Sequence, residues 1–213
     1  MSLRILVVDD HAVVRRGVRS LLESHEGWEV CGEATTGREA VEQSRRLRPD
    51  VVVMDLSLPE LNGLDATRQI LKDAPNTEVL VLTMHHSEEL ARDVLQAGAR
   101  AFVLKSDADE NLISAVDSLR QHKPFLTSTV TEFVLDDYVR RGDGAQEDPA
   151  LTAREREIVQ LVAEGQSNKA AATTLGISVK TIEAHRANIM RKLHLHSVSD
   201  LVRYAIRNKI VQP

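Results

Sequence analysis

The stretch Ile5-Leu-Val-Val-Asp9-Asp10-His11 decides how the first half of the chain folds. Four consecutive apolar residues, without the polar alternation of a half-exposed strand, read as a parallel strand covered on both faces. Two adjacent carboxylates at its end repel each other, so the pair needs a cation or a hydrogen-bond donor nearby. Aspartate is also a favoured N-cap, and a helix is expected from about Ala12, so capping is the plainer reading of the pair by itself.

Working outward, the same kind of run recurs. Arg4–Val8, Glu29–Gly32, Val51–Met54, Glu78–Thr83 and Ala101–Leu104 read as strands, most of them Val/Leu-rich without alternation. Between them, amphipathic patterns predict helices over Ala12–Ser24, Gly37–Arg46, Leu64–Ala74, Glu88–Ala97 and Asp109–Gln121. Five βα units joined by right-handed crossovers wind into a three-layer α/β sandwich around a five-stranded parallel sheet. Ligands in such sheets bind at the carboxyl ends of the strands. Asp9, Asp10, Asp55, Thr83 and Lys105 all fall there, so they are expected on one rim.

A chain of 213 residues has room for two small domains. Its 42% apolar and 28% charged content is ordinary for a globular protein, and no apolar run approaches the roughly 20 residues of a membrane span. The first residues lack the pattern of a secretory signal, so a cytoplasmic protein with no membrane partner is expected. Cys31 is the only cysteine, which excludes an internal disulfide and a thiolate metal cage and reads as a small core residue. The net charge of −5 hides an asymmetry: residues 150–213 carry ten Lys/Arg against five Asp/Glu, residues 1–149 carry 17 against 27. A basic end suggests a polyanion partner, and an acidic beginning suggests a cation site or a receptor surface.

Past residue 121, Val130, Phe133, Val134 and Tyr138 predict a helix over 128–141 with Ser128 as N-cap, and the polar, Gly-containing segment up to Pro149 reads as a linker. Leu151–Ile210 is helical throughout: about Ala153–Ala163, Ser167–Leu175, Val179–Leu193 and Ser197–Arg207. Thr152, Ser167, Ser178 and Ser197 mark the starts, and Gly165 and Gly176 mark stops. Two helices joined at Gly176-Ile-Ser178 are the parts of a helix-turn-helix, whose second helix enters a major groove. Spacing residues 100° apart puts Ile182, Ile189 and Leu193 on its packed face and Lys180, Ala184, Ala187, Asn188 and Arg191 on the opposite one. The alanines would let the backbone approach bases, Asn pairs with adenine, and Lys169, Lys180, Arg191 and Lys192 suit phosphates. A merely solvated face would explain the same charges.

Three carboxylates on one rim, with no thiolates, form a hard oxygen site suited to Mg²⁺. Such an ion beside Asp55 would let the carboxylate attack phosphorus, with Lys105 and Thr83 receiving the new oxygens. Val7-Val-Asp9-Asp10-His11, Val53-Met-Asp55-Leu-Ser-Leu-Pro59, Gly63, Leu82-Thr83 and Ala97-Gly-Ala-Arg-Ala-Phe102-Val-Leu-Lys105 resemble a response-regulator receiver domain. That resemblance implies a flavodoxin-like doubly wound sheet with Asp55 as phospho-acceptor. Asp10 and Asp55 would bind Mg²⁺ directly, Asp9 through water, and the Ser57 backbone carbonyl would complete the ligands. Thr83 and Phe102 would be a switch pair, with the aromatic ring turning inward. Ser57 and His85 would face the phosphoryl pocket, His85 positioning a water or lying in solvent. Ser106 stands where many receivers have a cis proline.

Leu151-Thr-Ala-Arg-Glu-Arg-Glu157, Gly165-Gln-Ser-Asn-Lys169 and Ile177-Ser-Val-Lys-Thr-Ile-Glu-Ala-His-Arg186 resemble a LuxR-type DNA-binding domain, with Ala170-Ala171 where that family usually has Glu-Ile. The whole then resembles a NarL/FixJ-type response regulator: receiver over 1–121, linker over 122–148, all-α DNA-binding domain over 149–213. The expected DNA-contacting set is Lys169, Lys180, Thr181, Glu183, Ala184, Ala187, Asn188, Arg191 and Lys192, with Glu183, Ala184 and Ala187 nearest the bases. Arg186 falls toward the packed side, to pair with Glu155 or Glu157 or to meet a phosphate. The implied partners are a sensor histidine kinase, double-stranded promoter DNA, a second copy through the last helix when phosphorylated, and RNA polymerase. The implied output is binding, not catalysis of an external reaction. The other readings are a DNA-binding regulator whose receiver works without phosphate and an Mg²⁺-dependent aspartyl-phosphate hydrolase. Such hydrolases present a second Asp two residues past the nucleophile, where this chain has Ser57.

Overall fold

The computed structural model describes residues 2–84, 87–127 and 151–211. The helix expected over 128–141, the linker after it and His85 lie outside these residues. The chain divides into two compact units.

The first unit runs β1 (Leu3–Val8), α1 (Ala12–Glu23), β2 (Trp28–Ala34), α2 (Gly37–Leu47), β3 (Val51–Met54), α3 (Gly63–Asp73), β4 (Glu78–Thr83), α4 (Glu88–Gln96), β5 (Ala101–Leu104) and α5 (Ala108–Arg120), with a 3₁₀ turn at Lys105–Asp107. A short β6 (Phe125–Leu126) follows. All strands are parallel, in the order β2-β1-β3-β4-β5-β6. The sheet therefore has six strands where five were expected. β6 adds only Phe125 and Leu126 opposite Ala101 and Phe102, and two residues are too few to give a periodic signal.

Alternate residues of the central strands serve two layers. Ile5, Val7, Val51, Val53, Leu80, Leu82, Ala101 and Val103 share a core with Val18 and Leu22 of α1 and with Leu112, Ala115, Val116 and Leu119 of α5. The residues between them, such as Leu6, Val52, Met54, Val81 and Phe102, point the other way and are equally buried. Double coverage is why these strands lack polar alternation. The strand order reverses between β1 and β3, which places the residues after Val8 and Met54 at the sheet's switch point.

Helix starts are set locally. Thr36 and Ser87 cap α2 and α4 by accepting from the N–H groups of Glu39 and Leu90. α1 differs: its N-cap is His11, which makes no side-chain cap bond, so the capping reading of Asp9-Asp10 fails. Gly63 opens α3 pressed against the chain after β3, its N–H donating to Leu56 O at 3.0 Å. A Cβ there would lie 2.0 Å from the Asp55 carbonyl oxygen and 2.8 Å from Leu56 Cα, both backbone atoms that cannot rotate away.

The second unit is α6 (Ala153–Ala163), α7 (Asn168–Leu175), α8 (Val179–Lys192) and α9 (Val198–Arg207). Thr152, Ser167, Ser178 and Ser197 are the four N-caps, as the sequence predicts, and Thr152 with Glu155 forms a reciprocal capping box. Gly176 ends α7 in the left-handed region at φ 64°. Ile158, Leu161, Ala171, Ile182, Ile189 and Leu201 are among the buried residues of its core. Ala171, in the departure from the family pattern, is fully buried there, while Ala170 is exposed.

Two outcomes follow. Gly63→Ala should destabilise the first unit by roughly 3 kcal/mol, the upper end of overpacking penalties, measurable by urea unfolding. Burial alone would raise the Glu155 carboxyl, but bonds from Thr152 and Lys192 outweigh it and hold it below its ordinary value. A carboxylate lowered on folding stabilises above its unfolded pKa and loses that contribution as pH falls. Glu155→Gln should therefore cost stability at neutral pH and flatten the acid limb of the unfolding curve.

Candidate functional site

The rim is assembled by register. Val8, Met54 and Val81 sit side by side, as do Thr83 and Leu104, so the residues just after β1, β3 and β5 gather at one end of the sheet. The backbone there is fixed: Asp9 N–H donates to Ala34 O at 3.1 Å and Asp55 N–H to Val8 O at 2.9 Å. Lys105 reaches between the two aspartates, its Nζ 2.7 Å from Asp9 Oδ2 and 2.9 Å from Asp55 Oδ2. All three side chains are under 8% exposed. The other oxygens are held by backbone: Leu56 N–H donates to Asp55 Oδ1 at 2.8 Å and His11 N–H to Asp9 Oδ1 at 2.8 Å.

Burial pushes the Asp55 carboxyl above its ordinary value, and the charge of Asp9 adds to that, while Lys105 and the Leu56 N–H oppose it. Burial works against the Lys105 ammonium as well, but close contact with Asp9 and Asp55 outweighs it and raises Lys105 above its ordinary value. The two directions agree physically. One ammonium has two carboxylates to hold it, whereas each carboxylate has half an ammonium. Asp9 Oδ2 and Asp55 Oδ2 have the Lys105 ammonium at ion-pair distance and no other donor, so both keep lone-pair capacity.

Thr83, 1% exposed, ends β4 beside Leu104 and so next to Lys105 in the sheet. Ser57 is half-buried in the segment after β3. Phe102, on β5, is 1% exposed. Two residues that sequence reasoning passed over belong to this rim. His11 Nδ1 lies 2.7 Å from Asp10 Oδ1, and Asp9, Asp10, His11 and Asp55 each offer a ligand atom within 4.8 Å of the others. Arg15 braces the turn, donating to the Asp9 carbonyl at 2.8 Å and to Glu33 Oε2 at 2.9 Å. Glu33 lies eighteen residues away on β2, and no local spacing reveals that pairing.

In the second unit α8 buries Ile182 and Ile189 and half-buries Leu193. Lys180, Thr181, Glu183, Ala184, Ala187, Asn188 and Arg191 are exposed, as is Lys169 on α7. Three polar groups are engaged at home. Asn188 Oδ1 accepts from Arg191 at 2.7 Å, Thr181 Oγ1 lies 2.8 Å from Ser178 Oγ, and Lys192 pairs with Glu155 at 2.9 Å. Arg186, for which either a pair with Glu155 or Glu157 or a phosphate contact was expected, donates to Asn168 Oδ1.

Residues 5–117 match the family described as response regulator receiver domain, and residues 149–205 match the bacterial regulatory proteins of the luxR family. The chain belongs to the two-component response regulators with a LuxR-type DNA-binding domain. Among the relatives of this response regulator is the oxygen regulatory protein NreC of Staphylococcus epidermidis, 39% identical over 99% of this chain and 100% of its own. A LuxR-family response regulator from Aurantimonas sp. SI85-9A1 superposes with a TM-score of 0.62 at 34% identity, covering 66% of this chain and all of that one. RcsB from Salmonella enterica serovar Typhimurium, solved bound to a promoter with a phosphomimetic beryllofluoride, gives 0.60 at 27% identity over 96% of this chain and 98% of its own. As a response regulator the protein is a phosphorylation-dependent transcriptional regulator of the NarL/FixJ type. No helix among its described residues is long and apolar enough to cross a membrane.

Removing the shared ammonium leaves two buried carboxylates facing each other. Lys105→Met should cost the receiver roughly 3 kcal/mol in urea unfolding. Adding Asp9→Asn to that variant should recover part of the loss.

Proposed function

We propose that Asp55 accepts a phosphoryl group from a sensor histidine kinase and that the modified receiver promotes homodimerisation and binding to promoter DNA. The observation that carries this reading is the Asp9–Lys105–Asp55 arrangement, with the Asp55 Oδ2 lone pairs unfilled. That oxygen attacks phosphorus; the O–P bond forms as the P–N bond to the kinase histidine breaks, and the imidazole keeps the electron pair. Lys105 Nζ then exchanges carboxylate for phosphoryl oxygen, and the Thr83 hydroxyl donates to another. Phe102 is the aromatic partner of that Thr83 movement.

The rim fits Mg²⁺: its donors are hard oxygens, two of them buried with unfilled lone pairs. Asp10, Asp55 and the Ser57 carbonyl would hold the ion and Asp9 would assist through water. When bound it supplies positive charge against the incoming phosphoryl oxygens.

The domain limits we propose are 1–121, 122–148 and 149–213. In the last of these, Glu183, Ala184 and Ala187 meet base edges and Asn188 adenine, while Lys169, Lys180, Thr181 and Arg191 meet the backbone. Lys192 contributes less, its charge being spent on Glu155. The protein works in the cytoplasm, contacts RNA polymerase at its promoters and turns over no external substrate.

Intact mass after acetyl phosphate treatment should show one added phosphoryl group in the wild type with Mg²⁺, and none in Asp55→Asn or with EDTA. An adduct that persists in Asp55→Asn would refute the assignment. Lys180→Ala should lower the slope of log affinity for DNA against log salt by about 0.9, and Lys192→Ala by clearly less.

A further inference from the structure

We propose that His11 Nδ1 is an additional metal ligand of the rim and that it raises the site's affinity for borderline divalent ions such as Co²⁺ and Ni²⁺ relative to Mg²⁺. The inference rests on the reading of the rim as a divalent-cation site. Two ligands at right angles on bonds of about 2.1 Å stand about 3 Å apart. His11 Nδ1 is 2.7 Å from Asp10 Oδ1, close to that separation. Ligand atoms on Asp9, Asp10, His11 and Asp55 all lie within 4.8 Å of one another, close to the span of trans ligands around one ion.

The backbone supports the placement. His11 N–H is tied to Asp9 Oδ1 at 2.8 Å, its carbonyl accepts from Arg15 N–H at 3.0 Å, and Arg15 also holds the Asp9 carbonyl. The turn is braced on both sides, while the imidazole itself is 66% exposed and lies against Asp10 Oδ1, a direct contact that a shared cation would replace. His11 also does nothing that capping would explain, since its side chain makes no cap bond to α1. An imidazole adds little for Mg²⁺, which prefers oxygen, and much for Co²⁺ or Ni²⁺, so the residue discriminates by metal class.

The test is equilibrium dialysis of the full-length protein with Mg²⁺ and with Co²⁺, scoring the Co²⁺ that excess Mg²⁺ displaces. The variants are His11→Ala and Asp10→Asn. His11→Ala should weaken Co²⁺ binding tenfold or more and change Mg²⁺ binding less than twofold, whereas Asp10→Asn should weaken both. The d–d absorption of bound Co²⁺ should change in His11→Ala. Unchanged Co²⁺ affinity and spectrum in His11→Ala, with Mg²⁺ still binding, would overturn the imidazole inference alone. Failure of the wild type to bind either ion would overturn the cation reading itself.

Discussion

The ammonium of Lys105 between Asp9 and Asp55 is the interaction on which the receiver unit depends. Two carboxylates that close, both withdrawn from water, are costly unless a positive charge divides them. Their shared cation comes from the end of a third strand, so the site exists only when β1, β3, β4 and β5 are in register. The doubly covered sheet below supplies that register through its parallel backbone ladder and the apolar side chains packed on both faces. The charges of Asp9, Asp55 and Lys105 sit at its carboxyl end.

An arrangement of this kind is tuned for exchange. A carboxylate with one oxygen fixed by backbone and the other facing an ammonium it shares with a second carboxylate is stabilised enough to persist, yet still has lone pairs to give. The same incompleteness suits a cation and a phosphoryl group, both of which fill those lone pairs. In the DNA-binding unit, hydroxyl caps fix where each helix begins, and the face of α8 away from the core is left to small and polar residues. Alanines there keep the helix surface low, and a protein surface must come close to read base edges.

Most of the fold was legible because it rests on local signals. The strands show as unbroken Val/Leu runs, and the four caps of the C-terminal helices stand one residue before their helices. The misses came from contacts between distant residues or from elements too short to carry a period. β6 has two residues. The Lys192–Glu155 pair joins two helices and leaves no local signal. Arg186 finds Asn168, a neutral residue no charge pattern singles out. Asp9-Asp10 satisfies the usual criteria for an N-cap, yet the chain passes one residue further before turning into α1, and His11 takes the position.

The sequence by itself determined the strand and helix order, the set of residues at the strand ends, and the polarity of α8, because each follows from side-chain periodicity within a short window. Tertiary structure alone decided how those residues share charge. It assigned Lys105 to both aspartates, left Asp9 Oδ2 and Asp55 Oδ2 with open lone pairs, set His11 beside Asp10, and paired Lys192 with Glu155. These outcomes depend on distances across strands and helices that lie far apart in the chain, where electrostatic energy varies with each ångström and with burial.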